Sequence, residues 1–152
     1  MKRIVIVAFI AGIFAACSKD KFESVPRIEI KEFGPEEVQK GQVIRLTANI
    51  FDQEGDLQDT LYVYRRIFNA NTNAELSVDS LITSDLKTLG APSKQETEVL
   101  ITLLYGEQDP RIGPTQNGDG IDRKFSIGLR VKDKAGNKSE YVESNKIILK
   151  KI

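Results

Sequence analysis

Histidine and tryptophan are absent from this 152-residue sequence, and cysteine and methionine occur once each. Without histidine there is no imidazole for a Ser-His-Asp triad, for His-ligated zinc or for titration near neutral pH. One cysteine allows no intrachain disulfide, so packing has to hold the fold. Lys plus Arg and Asp plus Glu stand at 22 each, and this balance gives no electrostatic reason to expect nucleic acid as a partner. Neither a phosphate-binding P-loop nor a Gly-x-Ser-x-Gly elbow occurs. What the sequence does have is a 40% hydrophobic fraction, enough for a core, at a length suited to one domain.

The N-terminal segment is organised for export. Lys2 and Arg3 precede thirteen uncharged residues, Ile4 to Ala16, and the run ends abruptly at Cys17 and the polar Ser18-Lys19-Asp20-Lys21. As a helix those thirteen residues would reach about 20 Å, short of the ~30 Å hydrocarbon core, which disfavours a permanent span. Phe14-Ala15-Ala16-Cys17 resembles the lipobox of bacterial lipoproteins, with Phe14 where leucine is commonest. The resemblance implies that residues 1–16 are a signal peptide, that the Cys17 thiol becomes a diacylglyceryl thioether, and that residues 17–25 are a lipidated tether. Two acyl chains would hold the protein on a bilayer without a transmembrane helix. Ser18 after the cysteine resembles the outer-membrane pattern, with the periplasmic or surface face left open. Loss of residues 1–16 removes two basic side chains and no acidic one, leaving a mildly acidic body.

From Pro26 onward the pattern is one strand after another. In Phe125 to Lys132 the apolar residues fall on every second position, and in Val43 to Phe51 the residues Ile44, Leu46, Ala48 and Ile50 alternate with Arg45, Thr47 and Asn49. Further strands are predicted over Arg27 to Phe33, Thr60 to Phe68, Glu96 to Tyr105 and Glu140 to Leu149. Turn signals stand at Gly34-Pro35, Lys40-Gly41, Glu54-Gly55-Asp56, Asn71-Thr72-Asn73, Gly90-Ala91-Pro92 and Lys134-Ala135-Gly136-Asn137. Leu76 to Leu89 fits either a short edge strand or a helical turn. This pattern predicts an all-β fold, an Ig-like or fibronectin-III-like antiparallel β-sandwich of about seven strands over residues 26–152, with an open barrel as the alternative.

Gly34-Pro35, Gly41 to Leu46, Asp52 to Leu57 and Val131 to Ser139 together resemble small Bacteroidota-type lipoproteins with a single Ig-like domain. Their motifs are turn and strand signatures, so the resemblance implies fold and location and carries no chemistry.

Three candidate surfaces follow. Asp52, Glu54, Asp56 and Asp59 gather carboxylates around Gly55, the oxygen-rich composition Ca²⁺ requires, although the spacing is not that of an EF-hand; the competing reading is a solvated acidic turn. The loop from Gly106 to Asp122, long and polar, is a candidate recognition surface or a structural connection. Tyr62, Tyr64 and Phe68 share one strand face, which core or cross-strand packing explains as well as ligand stacking does. Arg65 and Arg66, being adjacent, point to opposite faces. The expectation is a non-enzymatic, lipid-anchored envelope protein, a binding or structural module contacting another protein. A carbohydrate-binding accessory of a nutrient-uptake system is the alternative, against which the lack of tryptophan counts. A small carboxylate-dependent hydrolase would need two acids facing across a groove.

Overall fold

The computed structural model describes residues 25–55, 57, 60–83, 95–106, 113–114 and 120–152. The signal peptide, Cys17, the tether to residue 24, Asp56, Asp59, the Gly90-Ala91-Pro92 turn and most of the Gly106 to Asp122 loop lie outside them. The described residues are all-β: β1 (Arg27–Gly34), β2 (Glu37–Val38), β3 (Val43–Phe51), β4 (Thr60–Asn69), β5 (Glu75–Thr83), β6 (Glu96–Leu104), β7 (Arg123–Lys132), β8 (Val142–Glu143) and β9 (Ile147–Leu149). No helix among them is long and apolar enough to cross a membrane.

Two sheets share one core. The smaller has the order β1-β3-β6, and the larger β2-β9-β7-β4-β5 with β8 also paired to β7. Strict alternation decides which faces meet. Ile44, Leu46, Ala48 and Ile50 of β3 turn inward against Phe125, Ile127, Leu129 and Val131 of β7, all of them buried in a single cluster. Burying each large side chain is worth roughly 1.5–3 kcal/mol, and the two rows form the centre of the core. In β1 the register shifts between Ile30 and Glu32, so that Ile28 and Phe33 are both buried although an odd number of steps separates them. Without that bulge the acid at position 32 would face the core.

The structure differs from the sequence expectation in three places and decides between two readings in a fourth. The chain passes from the smaller to the larger sheet at Gly34-Pro35, whose peptide is cis, and adds the two-residue strand β2, which no period-two pattern could reveal. That strand pairs with β9 in parallel, so the sheets are not wholly antiparallel. The strand predicted over Glu140 to Leu149 is broken into β8 and β9. At the break the Ser144 hydroxyl accepts from the Ile127 amide at 3.0 Å, while the Ser144 amide donates to the Ile127 carbonyl at 2.9 Å. A side-chain oxygen standing in for a ladder carbonyl lets the chain step away from β7. Finally, Glu75 to Thr83 is a nine-residue edge strand on β4 and not a helical turn.

Candidate binding face

The outward residues of β4 and β7 form a surface that differs from the rest of the molecule. Register places Tyr62 opposite Arg130, Tyr64 opposite Gly128, Arg66 opposite Ser126 and Phe68 opposite Lys124. Tyr62 and Tyr64 therefore do not belong to the core; they lie half-buried on the outer face, where cross-strand packing holds them. Tyr141, before β8, reaches over Gly128 and meets Tyr64 edge-on, ring centroids 5.7 Å apart at 68°. Phe68 is buried outside the core cluster, beneath the Arg66 guanidinium at 5.2 Å and the Lys146 ammonium at 3.6 Å. Cation-π attraction and the aliphatic stems of both cations shield a ring that would otherwise face water.

A charged network fixes these rings. Arg66 donates to Glu143 through Nη1 and to Glu75 through Nη2 and Nε, the last at 2.7 Å. Glu143 also accepts from the fully buried Ser126 hydroxyl at 2.6 Å and from the Tyr141 hydroxyl at 3.2 Å. Burial pushes the Glu143 carboxyl up, but the Ser126 hydrogen bond and the Arg66 guanidinium outweigh it and hold the group below its usual range. Burial, reinforced by the Glu143 charge, pushes the Tyr141 phenol up against the opposing pull of Arg66. The outcome is an ionised carboxylate and a neutral phenol locked together on a sheet surface.

Arg65 points the other way, as adjacency requires. It is 5% exposed and reaches the edge strand through an ion pair with Asp79 and a 3.4 Å bond from Nη1 to the Gly113 carbonyl. Gly113 in turn packs so closely on β6 that a β-carbon there would stand 1.8 Å from the Leu104 carbonyl oxygen. The described ends of the Gly106 to Asp122 loop are thus tied to the sandwich: Gly106 donates to Pro114 at 3.0 Å, and Asp122 accepts from Lys150 at 2.7 Å and from the Lys151 amide at 2.9 Å.

Of the acidic loop, the structure describes Asp52 and Glu54. Asp52 is 2% exposed and closes the turn, with Oδ1 accepting from the Glu54 amide at 3.2 Å and its carbonyl from Gly55 at 3.3 Å. Glu54 is exposed. A cavity of about 340 Å³ lies beside them, lined in part by Arg27, Phe51, Asp52 and Gln95. Among the described residues no three carboxylates come together.

The outer-face network escaped the sequence reading because Glu75, Tyr141 and Glu143 stand outside the strand that carries Arg66. One signal was present: a glycine in the middle of the apolar alternation of β7, which marks close approach by another group.

Fold and face together define an all-β protein of two packed sheets with an aromatic and charged outer surface. No protein-family model and no curated protein sequence matches the chain. Solved structures that it partly resembles include the sporulation control protein Spo0M of Bacillus subtilis, 11% identical with a TM-score of 0.41 over 84% of this chain and 50% of that one. A β-glucosidase from Listeria innocua in complex with gluconolactone is 9% identical with a TM-score of 0.43, covering 84% of this chain and 16% of the enzyme. The alkylpurine DNA glycosylase AlkC of Pseudomonas fluorescens is 9% identical with a TM-score of 0.41, covering 81% and 30%. The chain thus spans half of the first and under a third of the others, and likeness at this level assigns no activity.

Proposed function

We propose that this chain is a lipid-anchored, non-enzymatic protein of the outer membrane, an Ig-like module that contacts another protein through the outer face of its larger sheet. The Ig-like reading is supported by the strand order, β1-β3-β6 opposed to β9-β7-β4, with the consecutive strands β1 and β2 divided between the two sheets. The anchor reading is supported by Phe14-Ala15-Ala16-Cys17, and the ten residues from Cys17 to the start of β1 allow the domain to stand up to about 33 Å from the bilayer.

The observation that carries the binding role is the network joining Tyr64, Tyr141, Arg66 and Glu143. Tyrosine and arginine dominate protein-binding hot spots, and here both are held rigid before any partner arrives while Tyr141 stays 38% exposed. A sugar platform presents ring faces side by side, which the edge-on meeting of Tyr64 and Tyr141 does not favour. Glu143, kept ionised by Ser126 and Arg66, lacks the raised pKa of a glycosidic general acid.

A photo-cross-linking side chain in place of Tyr62, in the intact protein within its native envelope, should form a discrete covalent adduct with one protein. Absence of any adduct at Tyr62 and at Tyr141 removes the binding reading. For the anchor, the Cys17→Ala protein should leave the membrane fraction, and the mass of the native chain should lack residues 1–16. A full-length unmodified polypeptide would refute that part.

A further inference from the structure

The charges on the outer face do not balance, and the imbalance has a shape. Arg66 is paired with both Glu75 and Glu143 in the middle of the face, where two carboxylates outweigh one cation. Towards one end Lys124 bonds only the Asn73 amide oxygen, at 2.8 Å, and Lys146 rests on the Phe68 ring. Towards the other end stands Arg130, half-buried beside Tyr62, with its Nε buried and making no hydrogen bond. No carboxylate pairs with Arg130, Lys124 or Lys146 among the described residues. The buried Nε is closed to a partner, but the two Nη nitrogens are not buried and carry no bond among the described residues, so they are the donors open to an acceptor from outside.

We infer that this face docks an extended acidic segment of the partner protein, one carboxylate bonding Arg130 between Tyr62 and Tyr141 and a second meeting the Lys124 and Lys146 pair. The inference rests on the proposed binding role of the face and adds the chemistry of the partner. Arginine suits the first contact because its planar fork takes a carboxylate through two parallel bonds. Arg130 and Lys124 are six residues apart on one straight strand, about 20 Å at ~3.3 Å per residue. An extended segment lying along β7 would therefore carry its two acids about six residues apart. The stretch between them crosses Tyr64, Tyr141 and Arg66 with its two carboxylates, a surface that offers aromatic contact and, with one cation against two anions, favours acids at the two ends of the segment over its middle. The rest of the chain is mildly acidic once residues 1–16 are gone, so the face reverses the prevailing sign and would steer an acidic segment toward itself.

The test uses the full-length protein in detergent micelles and three defined probes: a ten-residue, end-capped and otherwise uncharged peptide bearing two glutamates six apart, the same peptide with lysines, and polygalacturonate. Amide chemical-shift changes should map to the outer residues of β4 and β7 for the glutamate peptide alone, saturate, and weaken with added salt. Arg130→Gln should reduce affinity roughly tenfold or more, and Arg130→Lys should restore part of it. Lys124→Gln and Lys146→Gln should each cost about threefold, and moving the glutamates three apart should cost as much as losing both lysines. Equal response to the lysine peptide, shifts confined to another surface, or indifference to Arg130→Gln would overturn the inference. Binding of polygalacturonate in place of the acidic peptide, with the same dependence on Arg130, would also overturn it in favour of a glycan. The Tyr62 cross-link separates the two levels. An adduct that persists unchanged in the Arg130→Gln protein leaves the binding role standing and removes the acidic partner, whereas no adduct removes both.

Discussion

Tyr141 covers the bare backbone of Gly128: a β-carbon at position 128 would stand 2.1 Å from the Tyr141 hydroxyl oxygen. The glycine is where the outer face is thinned so that a ring from beyond β7 can lie on it and reach Tyr64 and Glu143. Gly128→Ala should therefore expel Tyr141 and break its bond to Glu143, costing about 1–3 kcal/mol by overpacking. Urea unfolding followed by far-ultraviolet circular dichroism gives the loss, and Tyr141 ring resonances report the displacement. Unchanged Tyr141 shifts in a stable Gly128→Ala protein would contradict this geometry.

Glu143 makes part of the stability depend on acidity. Its folded carboxyl titrates below the unfolded value of about 4.3, so its contribution is complete above that value and is lost as pH falls through the folded pKa. At pH 7, Glu143→Gln should destabilise the protein by about 1 kcal/mol, the charged hydrogen bonds being discounted for partial exposure. The gap between wild type and variant should close as unfolding is repeated from pH 5 down to pH 3. A gap that stays constant over that range would show that the Arg66 pairing stabilises nothing.

At the turn after β7, Asp133 is fully buried and accepts from the Asn137 amide at 2.7 Å and from the Asn137 side chain at 2.8 Å. Asp133→Ala leaves those donors without their acceptor and should cost about 1–3 kcal/mol, visible as a lowered melting temperature. Asp133→Asn, which keeps one carbonyl oxygen, should recover part of the loss. If Asp133→Ala melts with the wild type, the turn is held by its backbone bonds alone.

Two leucines calibrate the core against the surface. Leu129 is fully buried and Leu100 is 62% exposed, on strands of opposite sheets. Leu129→Ala should cost about 2–5 kcal/mol and Leu100→Ala no more than about 0.5 kcal/mol. Comparable losses in chemical denaturation would mean that Leu100 is covered in solution.

Strand positions were legible wherever one side of a strand is buried and the other wet. Val43 to Phe51 was placed to the residue, and β4, β6 and β7 to within two, because burial on one face imposes a period of two that side-chain chemistry displays. The Lys134-Ala135-Gly136-Asn137 turn was equally visible, Gly136 taking the positive φ of 95° that the sequence signal implies. The edge strand β5 was ambiguous for the same reason in reverse. Described side chains along it are exposed on both faces, so no period is imposed.

Local chemistry along the chain thus determined the all-β class, the core rows and the separation of Arg65 from Arg66. Tertiary structure alone decided that Phe68 would be buried outside the core, that β2 would pair in parallel with β9, and that Tyr141, Glu143 and Glu75 would converge on Arg66. The physical reason is range. Alternation and turn propensity act between residues a few positions apart, whereas Arg66 and Glu143 are 77 residues apart and meet only when β4 and β8 take their places on either side of β7.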